Sequence, residues 1–164
     1  MNHDIELKDL RELPLYHEET ITDEYLDIMG HMNVRWYIAL FSRAVTGLFK
    51  EIGMTEEYFA SGEAGSFALR QFINYLAEVR SGETVVIHTR LIASSKKRIH
   101  LVHFMVNETR EVLSATMEAL ISHADLTLRK TSPFPLEIAA RIDSLVSTAG
   151  GLHWQPPLCG AIHA

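Results

Sequence analysis

Residues 27–33, Asp-Ile-Met-Gly-His-Met-Asn, bring a carboxylate, an imidazole and a carboxamide close together around Gly30. An apolar, strongly patterned stretch follows directly from Val34. A helix start offers unpaired backbone N–H groups and the positive end of the macrodipole. That suits negative charge developing on a carbonyl oxygen. A carboxylate such as Asp27 can then act as general base towards water, or attack the carbonyl itself. Gly30 lets the backbone approach closely or adopt a positive φ. The same residue types before a helix also serve simply as loop and cap residues, and spacing leaves both readings open.

The elements that must position this cluster follow from pattern. Residues 15–22 have the aromatic and β-branched content of a strand. From Val34 the period changes: Val34, Tyr37, Ile38, Phe41, Val45, Leu48 and Ile52 form one helical stripe. Asn33 is suited to cap its start and Gly53 to end it. Thr55 opens a short second helix that stops near Gly62. Residues 64–79, 83–94, 97–107 and 111–128 read as strands, joined by turn-rich or charged segments, so successive strands should pair antiparallel. Pro133 and Pro135 break the last strand, and residues 134–147 form an amphipathic helix. Segregated helices and strands define an α+β fold in which a long central helix is wrapped by a curved antiparallel sheet, with a C-terminal helix: the hotdog arrangement. A single domain is expected over 1–148, its core at about 15–130, with an irregular tail at 149–164. Strands longer than one small sheet needs predict edge-to-edge joining in a homodimer, or a dimer of dimers.

Composition narrows the class. The 164 residues are 47% hydrophobic and carry a net charge of -6, which argues against non-specific nucleic-acid binding. One cysteine, Cys159, excludes an intramolecular disulfide and a thiolate metal cage. The charged N-terminus lacks a secretory apolar core, and no window approaches about 18 apolar residues, so a cytoplasmic, non-membrane protein is expected. Asn107-Glu108-Thr109 matches a glycosylation sequon and is read as a turn.

Residues 27–44, DIMGHMNVRWYIALFSRA, resemble the D-x-x-G-H-x-N-x-x-x-Y motif of hotdog-fold acyl-CoA thioesterases, in the 4-hydroxybenzoyl-CoA thioesterase-like group. Downstream, Tyr75 precedes a glycine-plus-acid turn at Gly82 and Glu83, as in that group. KKRIHLVHFM and LSATMEALISHADLTLRK look particularly like thioesterases of carnitine breakdown, whose substrate is betainyl-CoA. The likeness covers roughly residues 15–146. It implies Asp27 as nucleophile or general base, the amide near Val34 as carbonyl-polarising donor, and His31 and Asn33 as orienting groups for water or thioester. Gly30, Val34, Trp36, Phe67 and Tyr75 are the candidate substrate-binding residues. The implied substrate is a small acyl-CoA, with coenzyme A as part of it and no other cofactor and no metal. Tyr25 stands where many members carry an acid, and Arg70 where an acid is frequent. Hydratases and dehydratases of acyl thioesters share the fold, and Asp27 with His31 can imitate their pair; a non-catalytic acyl-CoA-binding module is the third reading.

Other residues carry competing readings. His100 and His103 point to opposite faces of a strand, which disfavours a shared metal. His123 and Asp125 have same-face spacing and form either a supporting pair or a surface or interface pair. Glu118, alone in an apolar run, either reaches the pocket or faces solvent. Arg80, Arg90, Lys96, Lys97 and Arg98 can meet coenzyme A phosphates or belong to solvated turns. Tyr37 falls on the core stripe; Trp36 lies off it, at the pocket or the subunit seam. Trp36, Phe67, Phe72 and Tyr75 are available for a quaternary-ammonium cage.

Overall fold

The computed structural model describes residues 5–164; the expectations for the extreme N-terminus, residues 1–4, lie outside them. The first part of the chain forms α1 (Leu7–Leu10), β1 (Leu15–Thr20), a 3-10 turn (Asp23–Tyr25), α2 (Val34–Ile52) and α3 (Glu56–Ala60). Then come β2 (Ala64–Tyr75), β3 (Thr84–Ser94), β4 (Arg98–Asn107), β5 (Val112–Asp125), β6 (Lys130–Thr131) and α4 (Leu136–Gly150). The sheet order is β1-β3-β4-β5-β2, with β6 on β5. β1 runs antiparallel to β3, Thr20 facing Thr84, with a register shift between Leu15 and His17.

Contacts divide the chain into two compact units. One contains the described residues up to Gly47, with Ile73–Thr89 and His103–Met117; the other contains Leu48–Phe72, Arg90–Val102 and Glu118–Ala164.

The expected long helix is present over 34–52. Its buried stripe is Tyr37, Leu40, Phe41, Ala44, Leu48 and Ile52, whereas Val34 and Ile38 are 58% and 42% exposed. The apolar periodicity therefore continues past the buried face onto a flank of the helix. Continuous runs of residues in β3, β4 and β5 are buried, Val85–Leu91 in β3 among them. Since successive residues point to opposite faces, both faces of these strands are covered. In the first unit, His88 Nδ1 donates to the Leu13 carbonyl at 3.0 Å, and Leu10 and Leu13 are buried. In the second, the Arg90 guanidinium donates to the carbonyls of Ala149 (3.0 Å) and Trp154 (2.7 Å), with its charge 4.4 Å from the Trp154 ring. Glu118 is buried rather than solvent-facing: it meets His100 Nε2 at 2.8 Å and accepts the Cys159 N–H at 2.6 Å. His123 does not pair with Asp125; its partners are the Tyr58 hydroxyl at 2.7 Å and Ser132 Oγ at 2.9 Å.

β2 differs from the other long strands. It lies at the end of the sheet order and is mostly exposed, with Phe67, Leu69, Phe72 and Tyr75 each 41–49% accessible.

Gly47 marks a close approach of α2 to β1. A Cβ there would lie 2.7 Å from the Tyr16 carbonyl oxygen and 2.9 Å from its Cβ. Alanine in a helix interior ordinarily gains about 1 kcal/mol over glycine, but this overlap falls on backbone and forces a shift costing about 1–3 kcal/mol. Gly47→Ala is therefore expected to lower unfolding stability in urea, against its helix propensity; an unchanged or raised midpoint would refute the close approach.

Candidate active site

The Asp27–Asn33 stretch folds back on itself. The Gly30 N–H donates to the Asp27 carbonyl at 3.0 Å, and the Asp27 N–H to the His31 carbonyl at 3.0 Å. Gly30 has φ +82, which explains a glycine at that place. Asp27 Oδ1 accepts the Met29 N–H at 2.8 Å, and Oδ2 lies 3.9 Å from His31 Nδ1. The turn is then tied down at both ends. Leu26 and Met32 form an isolated antiparallel bridge, the Met32 N–H donates to the Val79 carbonyl at 2.7 Å, and the Asn33 N–H to the Tyr25 carbonyl at 2.9 Å.

Asn33 caps α2 as expected: its Oδ1 accepts the Arg35 N–H at 3.1 Å, and its carbonyl accepts the Trp36 N–H at 2.9 Å. Among the described residues no acceptor takes the Val34 N–H. That leaves one first-turn amide of a 19-residue helix available at the positive end of its dipole.

Beside this turn lies a cavity of about 300 Å³, lined by Asp27, Met29, His31, Met32, Val34, Tyr37, Tyr75, Leu76, Ala77 and Glu78. Asp27, His31, Val34 and Tyr75 of the sequence candidates therefore meet at one cavity. Gly30 shapes the turn and Asn33 the cap without lining it. Trp36 also stays off the wall; it packs on Tyr25 (ring centroids 4.6 Å), with the Arg35 guanidinium 5.2 Å from its ring. Phe67 lies along the exposed β2, outside the lining set. Tyr25, two residues before Asp27, is a buried packing partner of Trp36.

Tyr37 was legible as core, yet it also faces the cavity, in T-shaped contact with Tyr75 at 5.1 Å. Burial, helped by Tyr75 and the carboxylates of Glu78 and Glu83, pushes its hydroxyl up to about 12, while the Val79 backbone acts in the opposite sense. Tyr37 is therefore a neutral hydroxyl at physiological pH. Glu78 and the residues before it escaped sequence reasoning because 64–79 reads as one strand. The strand ends at Tyr75, where the Leu76 and Ala77 N–H groups both donate to the Ser114 carbonyl (2.8 and 3.1 Å) and the ladder breaks. Neither periodicity nor composition marks that break. Among the described residues, no group of three or more His, Cys, Asp or Glu is placed to hold a metal. Arg90, a candidate for phosphate contact, is instead buried and bonded to backbone carbonyls.

Residues 21–142 match the model of the thioesterase-like superfamily. The chain belongs to that superfamily, a hotdog-fold thioester hydrolase. Betainyl-CoA thioesterase of Pseudomonas aeruginosa is 28% identical over 129 residues, covering 79% of this chain and 81% of that protein. L-carnitine dehydrogenase/betainyl-CoA thioesterase of Agrobacterium fabrum is 30% identical over 129 residues; the match covers 79% of this chain but 26% of that longer protein. A hypothetical protein from Staphylococcus aureus, solved in complex with CoA, superposes with a TM-score of 0.77 at 21% identity, over 88% of this chain and 97% of that one. Among the described residues no helix is long and apolar enough to cross a membrane.

His103, on β4 and stacked on Phe41 of α2 (centroids 5.8 Å), bonds Thr89 Oγ1 through Nδ1 at 2.7 Å. Complete burial pushes its pKa down to about 3, so it is neutral in the folded chain. Burial lowers His88 as well. The unfolded chain binds these protons near the ordinary value of about 6.5. Their contribution is therefore fully present above that pH and lost as pH falls towards 3. Urea unfolding measured between pH 7 and 5 should show stability declining with acidification, less steeply in His103→Gln; an equal slope would remove His103 from the linkage.

Proposed function

We propose that this protein hydrolyses a small acyl-CoA thioester to the free acid and coenzyme A, without cofactor or metal, with Asp27 as general base. The observation that carries this reading is that Asp27 and Val34, whose N–H has no acceptor among the described residues, line one cavity at the start of α2. Asp27 Oδ1 is engaged by the Met29 N–H, leaving Oδ2 to accept a proton from water. Hydroxide then attacks the thioester carbonyl carbon. The oxyanion that forms is held by the Val34 N–H and the dipole of α2. Collapse of the tetrahedral intermediate breaks the C–S bond and expels the coenzyme A thiolate, a good leaving group. His31 and Asn33 support the turn and the cap, orienting water and thioester. The engaged Oδ1 favours general base over nucleophile. A hydratase reading is served less well, since His31 and Asp27 stand 3.9 Å apart and form no hydrogen-bonded dyad.

The relatives named above act on betainyl-CoA, and the lining supports a cationic acyl group here. Asp27 and Glu78 supply carboxylates, Tyr37 and Tyr75 supply rings, and no lysine or arginine stands among the described lining residues. The apolar, exposed edge of β2, with Phe67 and Phe72, supports self-association by sheet extension into a homodimer. A cytoplasmic setting accords with a single free cysteine.

Release of free thiol from a panel of acyl-CoAs, betainyl-CoA included, tests the reaction; enoyl-CoA hydration would release none. Asp27→Asn should cut kcat on an accepted substrate by about 10²–10⁴-fold, and a folded variant with near-full kcat removes Asp27 from the chemistry. Phe72→Glu should shift the sedimentation of the protein from dimer towards monomer, and unchanged sedimentation would move the interface elsewhere.

A further inference from the structure

Resting on that reading of the cavity, we infer that Arg110, held by Glu83 and Asn107, is a positioning residue that fixes the Glu78–Val79 peptide and through it the Asp27 turn. Leu76, Ala77 and Glu78 form one wall of the cavity, and they lie beyond the end of the β2 ladder. A wall of irregular backbone keeps its place only through individual hydrogen bonds. Its first residues rest on the Ser114 carbonyl, through the Leu76 and Ala77 N–H groups. Its far end rests on Arg110, whose guanidinium donates to the Glu78 carbonyl at 3.0 Å.

Arg110 is in turn held from two sides. Its backbone N–H donates to Asn107 Oδ1 at 3.1 Å, and its Nε lies 3.9 Å from Glu83 Oε1. Glu83 closes the ring: its Oε2 accepts from Asn107 Nδ2 at 2.6 Å and from the Arg80 N–H at 2.8 Å. Glu83 is the acid of the glycine-plus-acid turn, and it does not line the cavity. Its carboxylate binds the turn and the strand end that present Arg110.

The neighbouring peptide couples this ring to the chemistry. The Val79 carbonyl accepts the Met32 N–H at 2.7 Å, the bond that anchors the end of the Asp27–His31 turn. If the Glu78 carbonyl loses its donor, the peptide can rotate and carry the Met32 anchor with it. Reaction geometry tolerates little of this, since a misplacement of about 1 Å can cost about 10²-fold in rate. The effect should fall on kcat, because Arg110 is not itself a lining residue and meets the cavity wall only from behind, through the Glu78 carbonyl.

The test uses the full chain. In Arg110→Met, hydrogen exchange of the Met32 amide should be faster by at least about tenfold, and kcat on an accepted acyl-CoA lower by about 10- to 100-fold, with KM changed less than about threefold. Arg110→Lys, which keeps the charge and one donor, should recover part of both. Wild-type Met32 exchange in Arg110→Met overturns the coupling, and faster exchange with unchanged kcat overturns the positioning role. Should Arg110→Met not fold, Glu83→Gln, which keeps an acceptor for Asn107 but loses the charge facing Arg110, is read by the same criteria. Asp27→Asn measured alongside separates the two readings: full turnover there counts against the assigned base, while Met32 exchange still decides the coupling.

Discussion

The hydrogen bond from the Met32 N–H to the Val79 carbonyl, 2.7 Å long, holds together parts of the chain that sequence places far apart. On one side is the turn that carries Asp27; on the other is the wall that carries Tyr75 and Glu78. Such a bond contributes only about 1 kcal/mol net, but its position gives it leverage. With Met32 fixed, the Asn33 N–H reaches the Tyr25 carbonyl and the Asn33 side chain turns to cap Arg35. Most backbone N–H groups from 27 to 36 then find acceptors in close succession. The amide of Val34 is among those without one among the described residues, and it stands at the mouth of a helix whose dipole favours negative charge.

The electrostatics of the cavity follow from that geometry. Glu78 is paired with Arg80, outside the lining, while among the described residues the Asp27 carboxylate meets only a backbone amide and a distant imidazole. Tyr37, kept neutral by burial, adds a hydroxyl and a ring without adding charge. A site built this way is short of strong acids and needs none, because a thioester has an electrophilic carbonyl and a leaving group that departs as a thiolate. In the mechanism proposed above, one positioned base and one fixed dipole suffice, so few side chains are asked to carry the reaction.

Helix α2 was legible to the residue, because a cap, a 3.6-residue period and a terminal glycine all agree. The motif at 27–33 was legible as a cluster, and its turn and cap bonds are short-range enough to be implied by residue type. The far wall was not. That β2 stops at Tyr75 depends on two amides converging on Ser114, a contact between distant segments that no local pattern encodes. Trp36 and Phe67 show the same limit from the other side. Both are aromatic and near the motif or a strand, yet Trp36 is engaged by Tyr25 and Phe67 lies on an exposed edge strand.

Glu118 and Arg90 illustrate why polar residues in these strands resist sequence reading. Alternation suggests a solvent face, and a charged residue there ordinarily means water. Here the C-terminal residues lie on that face, so Glu118 and Arg90 are buried and act on backbone, accepting the Cys159 N–H and donating to the Ala149 and Trp154 carbonyls. A segment without regular structure has backbone groups that no helix or strand satisfies, and burying it requires side chains that can take their place. Charged groups do this well, because a hydrogen bond to an ionised partner is worth about twice a neutral one. The same dependence makes the arrangement asymmetric. Removing Arg90 strands carbonyls as well as removing a charge, so the charged residues of the sheet and the irregular C-terminal segment must be understood as a single structure.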